Sequence, residues 1–195
     1  MRDDQGAKIG MWLFLFTEII LFGGLFLLYA AYRSQYARDF HHAGGELNVA
    51  LGVCNTFLLL TSSWTVAMSI SAVRKDDKRL ALSCLAATLL LGAGFLVVKY
   101  FEWSGKIAHG IYPSGPGLTG LPPGEVLFFG LYFTMTGLHG VHVILGLAAL
   151  AVMLVLVAKD RIKRDDFILL ENAGLYWHLV DVVWIFILPL FYLAA

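Results

Sequence analysis

The sequence predicts an all-α, polytopic membrane protein in which five transmembrane helices form one bundle. Apolar residues make up 59% of the 195 residues, against roughly 45–50% in soluble domains, and mean hydropathy is +0.76. Charged and turn-rich segments divide the chain into five apolar stretches, each at or above the ~20 residues that cross hydrocarbon. The formal net charge is zero, so the composition gives no indication of a nucleic-acid partner.

The connections between the apolar stretches differ in character. Two of them, 74–79 and 159–166, are short and rich in Lys, Arg and Asp; we call them the cationic loops. The segment 104–123 holds four of the five prolines, which predicts an ordered turn outside the membrane. The first apolar run has no small-residue processing site, so we expect it to be retained as a helix. The predicted spans of the single domain, 1–195, are about 9–32, 48–73, 80–103, 124–158 and 167–194.

Positive charges predict the orientation, because Lys and Arg are preferentially left on the cytoplasmic side. Three cations fall on one side, at Arg33, Arg38 and Lys106, and Lys99 near a span end is left aside. This asymmetry predicts a cytoplasmic N-terminus and an external C-terminus. It also separates the two cysteines, Cys54 and Cys84, so no disulfide is expected. The ten cations of the other side are Arg2, Lys8, Arg74, Lys75, Lys78, Arg79, Lys159, Arg161, Lys163 and Arg164.

Five ionisable side chains lie inside the predicted spans, where each costs a few kcal/mol unless it has a partner or a purpose. Glu18 lies in the first span, His139 and His142 in the fourth, and His178 and Asp181 in the fifth. We expect these groups to form one buried, hydrogen-bonded network between helices. Glu102 belongs to this network by position, although it and Lys99 lie near a span end and can reach the interface.

The network has a structural interpretation and a functional one, and they are compatible. In the structural interpretation, the polar groups satisfy each other and set the helix register. In the functional one, a carboxyl group in an apolar span exchanges protons near neutral pH with the help of histidines. Glu18 is the residue for which proton handling is most expected, because only Thr17 among its neighbours is polar.

The sequence contains no complete set of ligands or catalytic groups. A di-iron bundle needs Glu-x-x-His on two helices, and a dihaem bundle needs facing histidines at two depths; neither pattern is present. No nucleophile motif or phosphate-binding loop is found either. We therefore predict no catalytic residue, no metal ligand and no cofactor in this chain.

Four segments together resemble subunit III of the haem–copper oxidases. The most specific are WHLVDVVWIFILPL (177–190) and YFTMTGLHGVHVILG (132–146), the latter similar to the family's T-G-x-H-G-x-H-V helix. WLFLFTEIILFGGLF (12–26) is similar to the helix that carries the family's intramembrane glutamate, and KYFEW (99–103) to a glutamate-bearing helix end. These segments cover every span except the second, in family order.

The resemblance implies an accessory subunit without redox centres, packed beside subunit I of a terminal oxidase in a bacterial cytoplasmic membrane. Haem and copper are expected in the partner subunits, which include subunit II and small subunits, and bound phospholipid is expected near Glu18. Compared with seven-helix members, the chain lacks the first two helices, which an extended subunit I can supply. The implied role is to sustain proton uptake and to protect subunit I during turnover.

Several alternatives remain open at this point. We expect cytochrome c rather than quinol as the electron donor, although five-helix relatives also occur in quinol oxidases and in nitric-oxide reductase systems. An autonomous proton or ion carrier is the alternative of another class; internal inverted repeats would favour it, and none is visible. A purely structural scaffold differs only in whether replacing Glu18 changes turnover.

Overall fold

The computed structural model describes residues 4–193 and contains six α-helices. Five of its helical segments are long and apolar enough to cross a membrane, which confirms the predicted fold class. A 3-10 turn at Pro116–Leu118 lies between the fourth and fifth helices, and a π-helical turn at Pro189–Leu193 extends the sixth. The helices are α1 (Asp4–Gln35), α2 (Ala37–Gly45), α3 (Val49–Arg74), α4 (Lys78–Ala108), α5 (Pro123–Ala158) and α6 (Ile168–Leu188).

The helices extend beyond some of the predicted spans. Helix α1 begins at Asp4 and α4 continues to Ala108, because polar residues with adequate helix propensity prolong a helix beyond its apolar part. The prediction that residues 104–108 belong to a turn is therefore wrong. Helix α2 was also not predicted, since its nine residues are too short and too polar to register as a span.

Local side-chain caps and turns explain where several helices begin and end. The side chain of Asn48 accepts a hydrogen bond from the Leu51 amide at the start of α3, and Asp77 does the same for Leu80 at the start of α4. Asp76, between α3 and α4, has φ 61°, a left-handed conformation that reverses the chain within three residues. Helix α5 begins at Pro123, in a position where the missing N–H is not needed.

Helix α6 is the central helix of the bundle and packs against α5, α3 and α1. The bulky ring of Trp177 on α6 fits between two glycines, Gly92 on α4 and Gly146 on α5. A Cβ atom at Gly92 would lie 2.8 Å from the indole, and one at Gly146 would lie 2.7 Å from it. The buried indole N–H donates to the Ser62 hydroxyl at 3.0 Å. Small residues thus let three helices close around one large ring.

Helix α1 is the least buried of the five spans and contacts only α2, α5 and α6 among the larger interfaces. Its outward face carries large apolar side chains, including Leu13, Phe16 and Leu27, that are more than half exposed. The Tyr29 hydroxyl donates to the backbone carbonyl of Leu190, which ties α1 to the C-terminal π-helical turn.

The described cations of the predicted cytoplasmic side gather at one end of the bundle. Glu171 at the start of α6 pairs with Lys8 of α1 at 3.1 Å and with Arg74 of α3 at 2.9 Å. At the same end, the Lys78 ammonium binds the Asp160 carboxylate at 2.7 Å. This hydrogen bond lowers the pKa of Asp160, which lies in a cationic loop. Arg2 lies outside the described residues, and which membrane side this end faces stays a prediction.

Candidate functional site

A carboxyl group and an imidazole meet between α1 and α5, about midway along α1. The Glu18 Oε2 atom lies 2.8 Å from His142 Nε2, and the two side chains are 14% and 12% exposed. Glu18 follows Lys8 by ten residues, about 15 Å along the helix axis, so it lies far from the charged end of α1. The pair is therefore largely removed from water and reaches the outer edge of the bundle between two helices.

The hydrogen bonds of His142 fix how many protons the pair holds. The Nδ1 atom lies 2.8 Å from the backbone carbonyl of Leu138, which can only accept, so Nδ1 carries a proton and donates it. The contact between Nε2 and Glu18 then contains one further proton, either on the carboxyl oxygen or on the ring. Both arrangements are electrically neutral as a pair.

Aromatic side chains hold the His142 ring in place. The Phe22 ring meets it edge-on at 5.3 Å between centroids, and the Tyr176 hydroxyl donates to the His142 backbone carbonyl at 3.2 Å. Thr17, the polar neighbour of Glu18 in sequence, donates to the carbonyl of Phe14 and does not contribute to the pair. His142 is consequently the hydrogen-bond partner that the structure assigns to Glu18.

The structure does not bring the predicted residues into one network, so that prediction is wrong. His178 lies on α6 and contacts the Ser63 hydroxyl on α3, with 2.5 Å between Oγ and Nδ1. Asp181 is 2% exposed, and neither of its oxygens meets hydrogen-bond geometry with any described residue, although Ser63 lies beside it. Residues that share one arc of a helix here face different neighbours, because α6 is surrounded by three other helices.

His139 is separated from His142 by less than one helical turn, yet it lies in a different environment. Its side chain is fully buried between the rings of Phe95 on α4 and Trp184 on α6, with centroid distances of 5.4 and 5.1 Å. Neither ring nitrogen has a hydrogen-bond partner among the described residues. A rotation of about 60° around α5 is enough to direct one histidine to α1 and the other to α4 and α6.

Glu102 belongs to a second polar cluster, which we call the Lys99 cluster and which contains Lys99, Glu102, Tyr132 and Tyr192. The Lys99 ammonium donates to Glu102 Oε2 at 3.0 Å and to the Tyr132 and Tyr192 hydroxyls at 3.1 and 2.9 Å. Both hydroxyls donate in turn to Glu102 Oε1, at 2.9 and 2.6 Å. Three ammonium protons thus meet three acceptors, and the cluster satisfies itself.

The Lys99 cluster places Lys99 and Glu102 in the interior of the helix bundle. Their side chains are only 9% and 4% exposed. They are buried because they face Tyr132 on α5 and Tyr192 in the C-terminal turn. The i,i+3 spacing of Lys99 and Glu102 was a usable signal for the ion pair. Nothing in the sequence pattern identified Tyr132 or Tyr192 as its partners.

The described part of the chain, residues 4–193, contains no group of three or more His, Cys, Asp or Glu side chains arranged to hold a metal ion.

Comparison with known proteins supports a single family over nearly the whole chain. A family model described as cytochrome c oxidase subunit III matches residues 2–195. The chain belongs to the cytochrome c oxidase subunit III family. As a member of this family, it is a multi-pass membrane protein of the haem–copper oxidase complexes.

The relatives of this chain are named for two different electron donors, quinol and cytochrome c. It is 34% identical to a probable quinol oxidase subunit 3 of Staphylococcus saprophyticus, covering 100% of this chain and 92% of the relative. It is 33% identical to cytochrome c oxidase subunit 3 of Bacillus subtilis, covering 99% and 88%. The chain is also 32% identical to a haem–copper oxidase subunit I+III of Aeropyrum pernix. That alignment covers 96% of this chain but only 22% of the relative.

Proposed function

We propose that this chain is a non-catalytic, cofactor-free subunit that supports proton uptake by subunit I of a bacterial oxidase. The Glu18–His142 pair carries this proposal, because it holds one exchangeable proton about midway along α1. Its position at the edge of the bundle, beside the least buried helix, gives the proton a way in and out. The chain itself binds no haem or copper in this proposal; those groups belong to its partners.

The partners are a haem- and copper-bearing subunit I, with two extra helices where it is extended, together with subunit II and small subunits. The fused subunit I+III among the relatives supports direct contact between the two subunits. Phospholipids cover the exposed apolar face of α1 next to Glu18. The complex resides in the bacterial cytoplasmic membrane, with the N-terminus of this chain in the cytoplasm.

Variants of Glu18 test the proton-handling role. In Glu18→Gln, an amide N–H can still donate to His142 Nε2, so the contact and the assembly are retained while titration is removed. We expect the oxidase to keep its haem content but to lose activity faster during sustained turnover, most strongly at high pH where protons are scarce. Glu18→Ala should show the same loss and also assemble less well, since it leaves His142 without its partner.

A matched control comes from the other half-buried histidine. His178→Gln introduces the same amide at a polar contact between two other helices, at Ser63. It should leave the pH dependence of inactivation unchanged. If the Glu18→Gln oxidase had the same lifetime as the wild type at every pH, the proton-handling role would be contradicted. The role of the chain would then be that of a structural scaffold.

A quinol oxidase is the second candidate, and the quinol oxidase relatives favour it. The first proposal takes cytochrome c as the electron donor, as expected from the sequence, so cytochrome c should reduce the purified complex; in the second, ubiquinol should reduce it. Recovery of this chain without any haem- or copper-containing polypeptide in mild detergent would favour an autonomous carrier instead.

A further inference from the structure

The two cationic loops border an open pocket of about 290 Å³ at the predicted cytoplasmic end of the bundle. Its rim carries both signs of charge, from Asp76 and Lys78 in one loop and from Asp160, Lys163 and Arg164 in the other. Its volume is at the small end of the range for ligand pockets, which suits a headgroup rather than a large metabolite.

Apolar side chains form the floor of the pocket. Val73 at the end of α3, Val157 at the end of α5 and Ile162 in the loop are each less than 7% exposed. A ligand with a charged part and an adjoining apolar part is therefore complementary to the pocket, since the charges lie at the rim and the apolar atoms lie below.

The length of α5 supports a position of the pocket at the depth of lipid headgroups. Helix α5 has 36 residues and a length of about 54 Å, which exceeds the ~40–45 Å of a bilayer with its headgroups. Its end at Ala158, beside the pocket, thus reaches the headgroup layer. The adjoining end of α3 and start of α4 lie at the same level, because the Lys78 ammonium donates to the Ala158 carbonyl at 2.8 Å.

The pocket is preformed by backbone and side-chain contacts between the loops. Lys78 bridges them by binding both Ala158 and the Asp160 carboxylate. Asp76 and Asp160 each have a left-handed backbone, with φ of 61° and 56°, in the turns that follow α3 and α5. Reciprocal backbone hydrogen bonds between Lys163 and Asp166 close the turn that carries Arg164.

The charges that remain after internal pairing define the ligand. Lys78 and Asp160 pair directly, and Lys163 attracts Asp160 more weakly, so the rim retains the cations of Lys163 and Arg164 and the carboxylate of Asp76 for a ligand. Within residues 4–193, the structure gives no salt-bridge partner to any of these three. Two cations suit a phosphate diester, and a single carboxylate beside them suits an ammonium group.

We propose that this pocket binds the headgroup of a zwitterionic aminophospholipid, with its phosphate on Lys163 and Arg164 and its primary ammonium on Asp76. Phosphatidylethanolamine has this chemistry. Phosphatidylcholine lacks the ammonium N–H donors, and phosphatidylglycerol lacks the positive charge. The membrane is the source of the ligand, since the pocket lies at the headgroup layer and has an apolar floor.

The test uses the intact oxidase complex, stripped of lipid in detergent and then titrated with single lipids under native mass spectrometry. We expect phosphatidylethanolamine to bind more tightly than phosphatidylcholine or phosphatidylglycerol. The Lys163→Gln/Arg164→Gln double variant should weaken its binding roughly twenty-five-fold, about five-fold for each cation. The matched control is Lys75→Gln/Arg79→Gln. It removes two cations of the other cationic loop, 74–79, and neither of these cations lines the pocket, so it should change binding little.

Asp76→Asn tests the ammonium half of the site, with Asp165→Asn as its control outside the pocket. Asp76→Asn should abolish the preference for phosphatidylethanolamine over phosphatidylcholine, while Asp165→Asn should preserve it. A preference unaffected by Asp76→Asn would overturn the proposal. Equal losses in the two double variants would also overturn it, because they would show a general electrostatic attraction.

Two measurements on the wild-type complex keep the proposal testable if a variant fails to assemble. Phosphatidylethanolamine should protect the backbone amides of 159–166 from hydrogen exchange, and phosphatidylcholine should protect them less. Inorganic phosphate at millimolar concentration should not displace the lipid. Equal protection by both lipids, or displacement by free phosphate, would contradict a lipid headgroup site.

Discussion

The Lys99 cluster provides a quantitative test of how this bundle tolerates a buried ion pair. Lys99→Met keeps a long, flexible side chain but removes the cation, and it leaves the Glu102 carboxylate with only the Tyr132 and Tyr192 hydroxyls as donors. Glu102→Gln has the opposite effect and leaves the Lys99 ammonium without its counter-charge. The double variant Lys99→Met/Glu102→Gln removes both charges and keeps the amide as a partner for the two hydroxyls.

The expected magnitudes follow from the burial of the pair, whose side chains are 9% and 4% exposed. Leaving one buried charge without its counter-ion costs about 3–5 kcal/mol, whereas removing both charges is close to neutral. Lys99 also lies about 5 Å from the ring centroids of Tyr132 and Trp184, and these cation–π contacts add to the loss in Lys99→Met. We expect each single variant to lose at least about 3 kcal/mol, and the double variant to lose less than the worse of the two.

The assay is thermal unfolding of the purified complex, in which the release of this subunit is measured as a function of temperature. A double-mutant cycle then gives the coupling energy between Lys99 and Glu102. A loss of about 3 kcal/mol corresponds to roughly 6–12 °C for a chain of this size. Lys106→Met is the comparison variant on the same helix, since Lys106 contacts the Glu46 carbonyl at 3.5 Å and the Phe129 ring at 5.2 Å from its centroid but is not a member of the Lys99 cluster. Additive losses in the double variant, or single losses no larger than that of the comparison variant, would refute the buried ion pair as described.

Three further predictions test other parts of the structure. In a background without native cysteines, a cysteine in either cationic loop should be labelled only after the membrane is opened, and one in 110–120 from outside; the reverse would overturn the orientation. Lys78 lowers the pKa of Asp160, so their contact stabilises the fold above the unfolded-state pKa of Asp160. This stabilisation is lost as pH falls through the lower folded-state pKa. Asp160→Asn should therefore make the stability of the fold less dependent on pH below about pH 4. Gly146→Ala should cost about 1–3 kcal/mol by overpacking the indole ring, while Gly140→Ala, which has open space, should be tolerated.

Much of the fold could be predicted from the sequence because hydrocarbon imposes a length on every span and excludes most charges. The five apolar stretches therefore coincide with the five long helices. Helix ends were less accessible, since hydropathy marks where the apolar part stops and not where hydrogen bonding stops; α4 continues to Ala108 for this reason. Helix α2 was not predicted, because its nine residues mix polar and apolar side chains and are too few to form a membrane span.

The candidate site could be predicted as residues but not as contacts. Glu18 and His142 were identifiable because ionisable groups are rare in apolar spans. Their contact joins residues 124 positions apart and depends on the rotation of α1 about its axis, which an apolar pattern on all sides does not specify. The same limit explains why His139 and Asp181 were assigned to one network, although tertiary packing directs them to different helices.

The two polar clusters differ in a way that separates structural from functional roles. Each is electrically neutral as a whole, so both are tolerated in the membrane. The Lys99 cluster satisfies all its donors internally and is enclosed by α4, α5 and the C-terminal turn, so a proton leaving it must break an ion pair. The Glu18–His142 pair shares a single hydrogen bond, keeps more than a tenth of each side chain exposed, and includes a residue of α1, the least buried helix. Moving the proton of the Glu18–His142 contact breaks one hydrogen bond and no Lys–carboxylate ion pair, so the proposed proton-handling role rests on this pair and not on the Lys99 cluster.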